Sequence, residues 1–461
     1  MNERLPPRLT HGPGARKRVL LLSYAFPPLI NAQAIRWLML VRQLIARGNA
    51  VDVLTLNLPP YYQDLLHEIP AGVQVHRVSP GPLERLAFGA KAELRTENDW
   101  VAARRRTGAV GLARRTYSLV RRAADAALVT DVCTEWFPFA APKALALARE
   151  GRFDVVVSSF EPGVNHLLGW LLKRRTGIPW LADFGDPWVN QNTPGWRRGL
   201  DFAIERRLVD RIDAVSVTTQ GLAAVYEKQY PRLGTVHVVP QGFDPDMFAG
   251  LAPDRLADSN SLNLVYTGTL YPELRNPSAV FSALRLLREK GLNVQLTIAG
   301  RVPLSMIEET LSGGELDGVV RFLGVVAHKR ALALQKGADV LLHLDNCGAD
   351  LQMPGKLYEY LGAGRPVLVV RHGQPHASAA ARCVRMVGCG RDAPDEPHAI
   401  AEALEAFTAT SRNLRDWEPA PDAVARYSYA RSADSLCAAI EQAIGGSSAR
   451  PVRIPVPDGE A

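Results

Sequence analysis

Residues 350–370, DLQMPGKLYEYLGAGRPVLVV, set a lysine and a carboxylate one helical turn apart, Lys356 and Glu359, directly behind a Met-Pro-Gly loop. The run before that loop, ADVLLHL, reads as a buried strand, so a helix opening at Gly355 starts at the carboxyl edge of a sheet. A helix's first amides are unpaired and its dipole is positive there, which makes a ready anion site. Gly355 lets backbone approach a diphosphate closely, and Lys356 adds a point charge. Glu359, a turn further in, has acceptors for the hydroxyls of a ribose. A solvated Lys–Glu pair of little energetic weight is the other reading of the same residues. Gly362-Ala363-Gly364 then ends the helix, and PVLVV returns the chain to the sheet.

Other chemistry-bearing residues also follow strand-like runs. LADFGDPW (181–188) projects Asp183 and Asp186 from the end of a buried strand. Asp186 is suited to orienting a hydroxyl or helping to remove its proton, and equally to capping the turn before Pro187. His166 opens a helix after DVVVSS, where it faces an acceptor or is structural. Arg36, on the helix after PPLINAQ, is a cleft residue or a solvated arginine, and Asn31 in that turn tolerates a left-handed backbone. Asp244-Pro245-Asp246 mimics an Asp-x-Asp metal motif but sits in a turn-rich passage after PQGF, so no metal is assigned. The five cysteines (Cys133, Cys347, Cys383, Cys389, Cys437) lack metal-ligand spacing, which argues against structural zinc and suits a reducing compartment. A P-loop, a serine nucleophile elbow and a His-Glu-x-x-His helix are all missing from the sequence.

Apolar patterning supplies the scaffold for these residues. A chain of 461 residues exceeds one ordinary core, so two domains are expected. RVLLLSY, VDVLTLN, VQVHRVS, DVVVSSF, PWLADF and DAVSVTT alternate with helical stretches; after VVPQGFDPDMFAGLAPD the rhythm restarts with LNLVYTG, NVQLTIAG, VVRFLG, DVLLHLD and PVLVV. Near-continuous apolar strands separated by amphipathic helices predict parallel sheets covered on both faces, an α/β class. The expected organisation is a flexible segment over 1–17 and a doubly wound domain over 18–243 with a basic insertion at about 80–140. A second doubly wound domain then covers 244–427, a helix over 428–445 crosses back to the first domain, and 446–461 form a disordered tail. Ligands in such sheets sit beyond the strands' carboxyl ends, so two facing sheets make a cleft.

Several of these motifs, in this order, resemble family 4 glycosyltransferases of the GT-B fold, two Rossmann-like domains facing across a cleft. The segment at 354–367 is similar to the family's P-x-K-x-x-E-Y-x-A-x-G-x-P-V, and LLSYAFPP, SSFEPGVNHLLGWLLKRRTGIPWLADFGDPW and VVPQGFDPDMF extend the likeness over most of the chain. The resemblance implies transfer of a sugar from a nucleotide diphosphate sugar to a hydroxyl acceptor, with retention of configuration and no metal or further cofactor. It implies that Glu359 holds the ribose, and that Lys356 and the amides of Gly355 and Leu357 face donor sugar or phosphate. It implies a second phosphate contact from Gly268 and Thr269 in a tight turn, with Arg275 as the cation. It assigns Asp186, His166, Arg275 and Lys356 to catalysis, and Asn31, Arg36 and Asp183 to the acceptor side or cleft. The chain departs from the family at Leu351, where an acid contacts the donor sugar and Asp350 stands beside it. It departs again at Gly185, and at Asn31-Ala32, where relatives carry a Gly-Gly turn. An epimerase or hydrolase of the same fold, or a nucleotide-sugar-binding protein without transfer, stays open as an alternative.

Charge points to partners. The net charge of +7 favours anionic ones. Within the basic insertion, residues 104–122 carry Arg104, Arg105, Arg106, Arg114, Arg115, Arg121 and Arg122 among apolar residues, compatible with an anionic membrane surface or with a solvated helix face. No nucleic-acid module accompanies them, so nucleic acid is not expected. The first residues lack the apolar core of a secretory signal, and VLLLSYAFPPLI is broken by Pro27 and Pro28 and shorter than the ~20 residues of a span. A cytoplasmic protein, peripheral at the inner membrane face, with a glycan or lipid-linked acceptor, is the expectation.

Overall fold

The computed structural model describes residues 16–29, 31–57, 68–85, 131–189, 193–271, 274–312, 314–345, 351, 353–372, 378–409, 417 and 420–445. Asp350 and the arginine-rich stretch 104–122 lie outside the described residues.

The first sheet is built from β1 (Arg18–Leu22), β2 (Ala50–Leu56), β3 (Gln74–Val78), β4 (Val155–Phe160), β5 (Trp180–Phe184), β6 (Ala214–Val217) and β7 (Val236–Val238). Its order is β3-β2-β1-β4-β5-β6-β7, parallel throughout. The helices are α1 (Ala32–Ala46), α2 (Phe137–Glu150), α3 (Val164–Thr176), α4 (Arg198–Val209) and α5 (Gln220–Gln229). The second sheet contains β8 (Leu262–Thr267), β9 (Val294–Ala299), β10 (Val320–Gly324), β11 (Val340–Leu344), β12 (Val367–Arg371) and β13 (Gly390–Pro394), in the parallel order β10-β9-β8-β11-β12-β13. Its helices are α6 (Ser278–Glu289), α7 (Leu304–Leu311), α8 (His328–Gly337), α9 (Gly355–Ala363), α10 (Ala379–Val387) and α11 (Pro397–Ala409); α12 (Pro421–Ala425) and α13 (Tyr429–Gly445) follow.

Apolar strand runs become central strands because both faces of each sheet are covered. On the first sheet one core gathers Leu20, Leu22, Val156 and Trp180 with Leu147, Leu168 and Leu208 from α2, α3 and α4. The opposite core gathers Val19, Leu21 and Val157 with Trp37 and Val41 of α1 and Leu436 and Ile440 of α13. The last helix therefore completes the first domain. The second sheet is likewise filled on both sides. These are the two doubly wound, Rossmann-like domains of the GT-B architecture. The order reverses beside β1 in one sheet and beside β8 in the other, and loops diverge beyond the carboxyl ends of β1/β4 and β8/β11 to leave a crevice. Among the described residues, no helix is long and apolar enough to cross a membrane.

Candidate functional site

At the β8/β11 switch point, the turn after β8 and the start of α9 meet. Gly268 has φ +131° and donates its N–H to Ala299 O (2.8 Å). The loop after β9 presses against it so closely that a Cβ on Gly300 would lie 1.9 Å from Gly268 O. Beside Gly268 stands the Lys356 ammonium, Nζ lying 3.6 Å from where a Cβ on Gly268 would be and 3.9 Å from the Tyr266 ring centroid. Lys356 is half-buried as a residue, yet its Nζ is shielded from solvent and donates no hydrogen bond among the described residues. Burial, then the nearby Arg275 cation, push its pKa well below the ordinary lysine value, with Asp345 opposing. Arg275 Nη1 reaches Thr269 O (3.5 Å), and its guanidinium lies 6.0 Å from the Tyr271 ring centroid. Gly268, Thr269, Arg275 and Lys356 are thus brought together, two basic side chains side by side with Asp345 acting on Lys356.

Gly355 opens α9 with Gln241 against it: the space a Cβ would take is 2.1 Å from Gln241 Oε1. Leu357 differs from expectation. Its N–H is donated to Pro354 O (3.0 Å) and its side chain is buried in the core, because α9 begins with a tight turn and packs its apolar face inward. Tyr360 fixes the helix to both neighbouring strands, accepting from Thr267 N (3.0 Å) and donating to Leu342 O (3.1 Å). Glu359 faces a small polar network. His328 Nε2 lies 2.8 Å from Oε1, and Gln335 Nε2 donates to Oε2 (3.1 Å) and to Thr267 Oγ1 (3.0 Å). Burial works against a charged His328, but the hydrogen bond and attraction to Glu359 outweigh it and raise its pKa. A carboxylate has about four lone-pair positions, so Glu359 retains acceptor capacity. His328, Gln335, Gln241 and the His343–Asp345 pair (3.1 Å) are site residues that the sequence reading did not assign. The PQGF motif and DVLLHLD strand containing three of them were visible, but their roles were not.

The first domain requires three corrections. Arg36 and Asp183 do not line the cleft: at 1% and 0% exposure they form a buried bidentate pair (2.6 and 2.9 Å). Arg36 also donates to Val239 O (2.7 Å) and Ser216 Oγ donates to Asp183 (2.7 Å), so the charges are satisfied inside the domain. Removing either partner leaves a buried charge, at a cost of about 3–5 kcal/mol. His166 does not face an acceptor either. It is fully buried, with Nδ1 2.7 Å from Ser158 Oγ and its ring packed beside Phe160 and Trp188 (centroids 5.9 and 5.8 Å), which also stack on each other, and burial lowers its pKa to about 3. Asn31 has an extended backbone (φ −146°) rather than a left-handed one, and caps α1 by accepting from Ala34 N (2.7 Å). Asp186 is half-buried in the turn after β5, at the carboxyl edge. The Asp244 side chain accepts from Asp246 N (3.0 Å), closing a turn. Among the described residues, no cluster of three or more His, Cys, Asp or Glu could hold a metal ion.

Two parallel, doubly wound sheets, each with a crevice at its switch point, define a GT-B protein. Residues 31–242 match the glycosyl transferase 4-like domain family and residues 261–409 the family of glycosyl transferases group 1; the chain belongs to the family 4-like glycosyltransferases. Among solved structures, HepE from Anabaena in complex with UDP and glucose is 13% identical, with 92% of this chain and 98% of that one covered at a TM-score of 0.58. A glycosyltransferase from Rickettsia africae is 11% identical over 94% and 100% of the chains (TM-score 0.60). A UDP-N-acetylglucosamine 2-epimerase is 12% identical over 95% and 98% (TM-score 0.54), so the same fold is found in another enzyme class. No curated protein matches the chain.

Proposed function

We propose that this chain moves a sugar from a nucleoside diphosphate sugar to a hydroxyl of a glycan or lipid-linked saccharide, with retention of configuration and without a metal ion or further cofactor. It would act in the cytoplasm, in the biosynthesis of a cell-surface polysaccharide or glycoconjugate. The observation that carries this reading is the shielded Lys356 Nζ beside Arg275 and Gly268, a paired-cation niche at a switch point. The family membership and the likeness to a fold solved with UDP and glucose support it.

In this mechanism the second domain holds the donor, its diphosphate at Lys356, Arg275 and the Gly355 amide and its ribose at Glu359. Asp350 is assigned to the donor sugar. The acceptor hydroxyl, oriented by Asp186, attacks the anomeric carbon from the face the diphosphate leaves. The anomeric C–O bond to phosphate breaks as the new glycosidic bond forms, and the hydroxyl proton passes to the departing phosphate oxygen. Cations and oriented amides at that oxygen favour the transition state because charge grows there. Closure of the cleft excludes water, the competing acceptor.

A thermal-shift panel of UDP, GDP, ADP and TDP with their sugars tests this. A ligand at ~100 times its Kd should stabilise the protein by roughly 2.7 kcal/mol, and Glu359→Ala should abolish the shift. Silence across the panel would overturn the reading. Incubation with the responding nucleotide sugar and no acceptor should leave it intact; an epimerised or hydrolysed sugar would assign the chain to those reactions instead. Binding without turnover on any acceptor pool would make it a binding protein.

A further inference from the structure

Glu359 is held from outside its own helix. Its Oε1 lies 2.8 Å from His328 Nε2 and its Oε2 accepts from Gln335 Nε2 (3.1 Å), so side chains of α8 fix both oxygens. His328 and Gln335 stand seven residues apart, two turns along one face of α8, and the carboxylate bridges them. The two holds differ. Gln335 is fully buried and its amide also donates to Thr267 Oγ1 at the end of β8 (3.0 Å), which ties that side of the carboxylate to the sheet. His328 stands on the open side, its side chain 20% exposed and that of Glu359 22%. A glutamate on a free surface samples many rotamers and loses that freedom when a ligand binds. A carboxylate clamped at both oxygens has lost it beforehand, and each oxygen keeps a lone pair for a further donor.

We propose that His328 is a positioning residue: by fixing Glu359 it sets how strongly the site selects a nucleotide that carries both ribose hydroxyls. The inference rests on the reading in which Glu359 takes the ribose. A vicinal diol brings two O–H donors, and a carboxylate with both oxygens fixed presents two acceptors at a set spacing. Gln335 steadies one oxygen. Without His328 the other swings, and one hydroxyl loses its aligned partner. A site built to bond hydroxyls disfavours an analogue that lacks them, and it does so more sharply the more firmly its acceptors are held. Attraction to Glu359 outweighs burial and favours the imidazolium, a charge-assisted donor that holds a carboxylate more firmly than a neutral one. In this scheme His328 acts on the ribose end alone, while Lys356 and Arg275 hold the diphosphate whether or not the hydroxyls are present.

Titration calorimetry of the full chain with UDP, GDP and ADP, each beside its 2′,3′-dideoxy counterpart, tests the proposal. The wild type should prefer the ribose form of whichever nucleotide binds. His328→Ala should reduce that preference by about tenfold and leave the dideoxy affinity unchanged. His328→Gln, which puts an amide N–H near the place of Nε2, should restore most of the preference. Equal weakening of both forms by His328→Ala would overturn the inference, because a histidine that only supports the fold acts that way; so would a glutamine variant no better than the alanine one. Glu359→Ala separates this failure from failure of the reading beneath it. If Glu359→Ala erases the preference and His328→Ala does not, only the role of His328 is lost. A wild type that binds both forms alike, or none of the nucleotides, removes the ribose from Glu359 and overturns the inference with that reading.

Discussion

Lys356 and Glu359 share one turn of one helix, yet the fold puts them in opposite circumstances. Glu359 already has two protein partners, whereas Lys356 has been moved beside a second cation and away from any acceptor among the described residues. Burial and Arg275 hold the lysine well below its usual pKa, so the free protein favours its neutral form more than solvent would. A diphosphate arriving there favours the ammonium. Binding should therefore take up a proton, and affinity should decline as pH rises. Titration calorimetry at one pH in buffers of different ionisation heat should show that uptake, and Lys356→Met should abolish it while weakening binding; a wild type without buffer dependence would remove the lysine from the phosphate site. The spacing of these two residues was legible because it is local. The loss of Arg36, Asp183 and His166 from the candidate site was not, since Arg36 and Asp183 lie 147 residues apart and their pairing depends on tertiary contact. Similarly, His328 meets Glu359 from 31 residues away.

At the scale of elements, the central strands announced themselves, and of the four edge strands β3 and β10 did so while β7 and β13 did not. β8 and β12 are apolar runs because helices cover both faces, while β13 reads GRDAP and pairs only with β12, so it has no apolar signature to detect. β7, with three residues, escaped for the same reason. The α13 helix illustrates the opposite case. Its apolar residues Ala433, Leu436, Ala439, Ile440 and Ala443 recur at helical spacing, and they fill the face of the first sheet shared with α1. Leu436→Ala should cost about 2–5 kcal/mol through lost burial and the cavity left behind. A denaturant midpoint measured by circular dichroism checks this; a change under about 0.5 kcal/mol would mean that the helix is not integral to that core.

Across the whole molecule, the two sheets meet where their crevices face each other. Thr219, at the end of β6, donates to Leu351 O in the loop after β11 (2.7 Å), and the Leu351 side chain lies against Gly221 (3.1 Å to a Cβ built there). Leu351, where the family places an acid, thus makes a contact between domains. One such hydrogen bond is worth about 1 kcal/mol, so Thr219→Ala should shift the molecule toward an open form with a larger radius of gyration in solution scattering. Thr219→Ser, which keeps the hydroxyl and the cap it gives to Leu222 N, should match the wild type. Identical scattering from Thr219→Ala would show that the bridge does not hold the domains. The two-domain plan was readable from the restart of the strand rhythm, but this bridge depends on how the loops close. The return of α13 to the first sheet has a consequence for biogenesis. Val19, Leu21 and Trp37 emerge from the ribosome early, yet part of their cover is the stretch Tyr429–Gly445, made only after the whole second domain. During translation that apolar face must wait uncovered, so domain-by-domain folding from the N-terminus is interrupted here. A truncation before residue 429 should therefore aggregate even though every residue of the donor site is present.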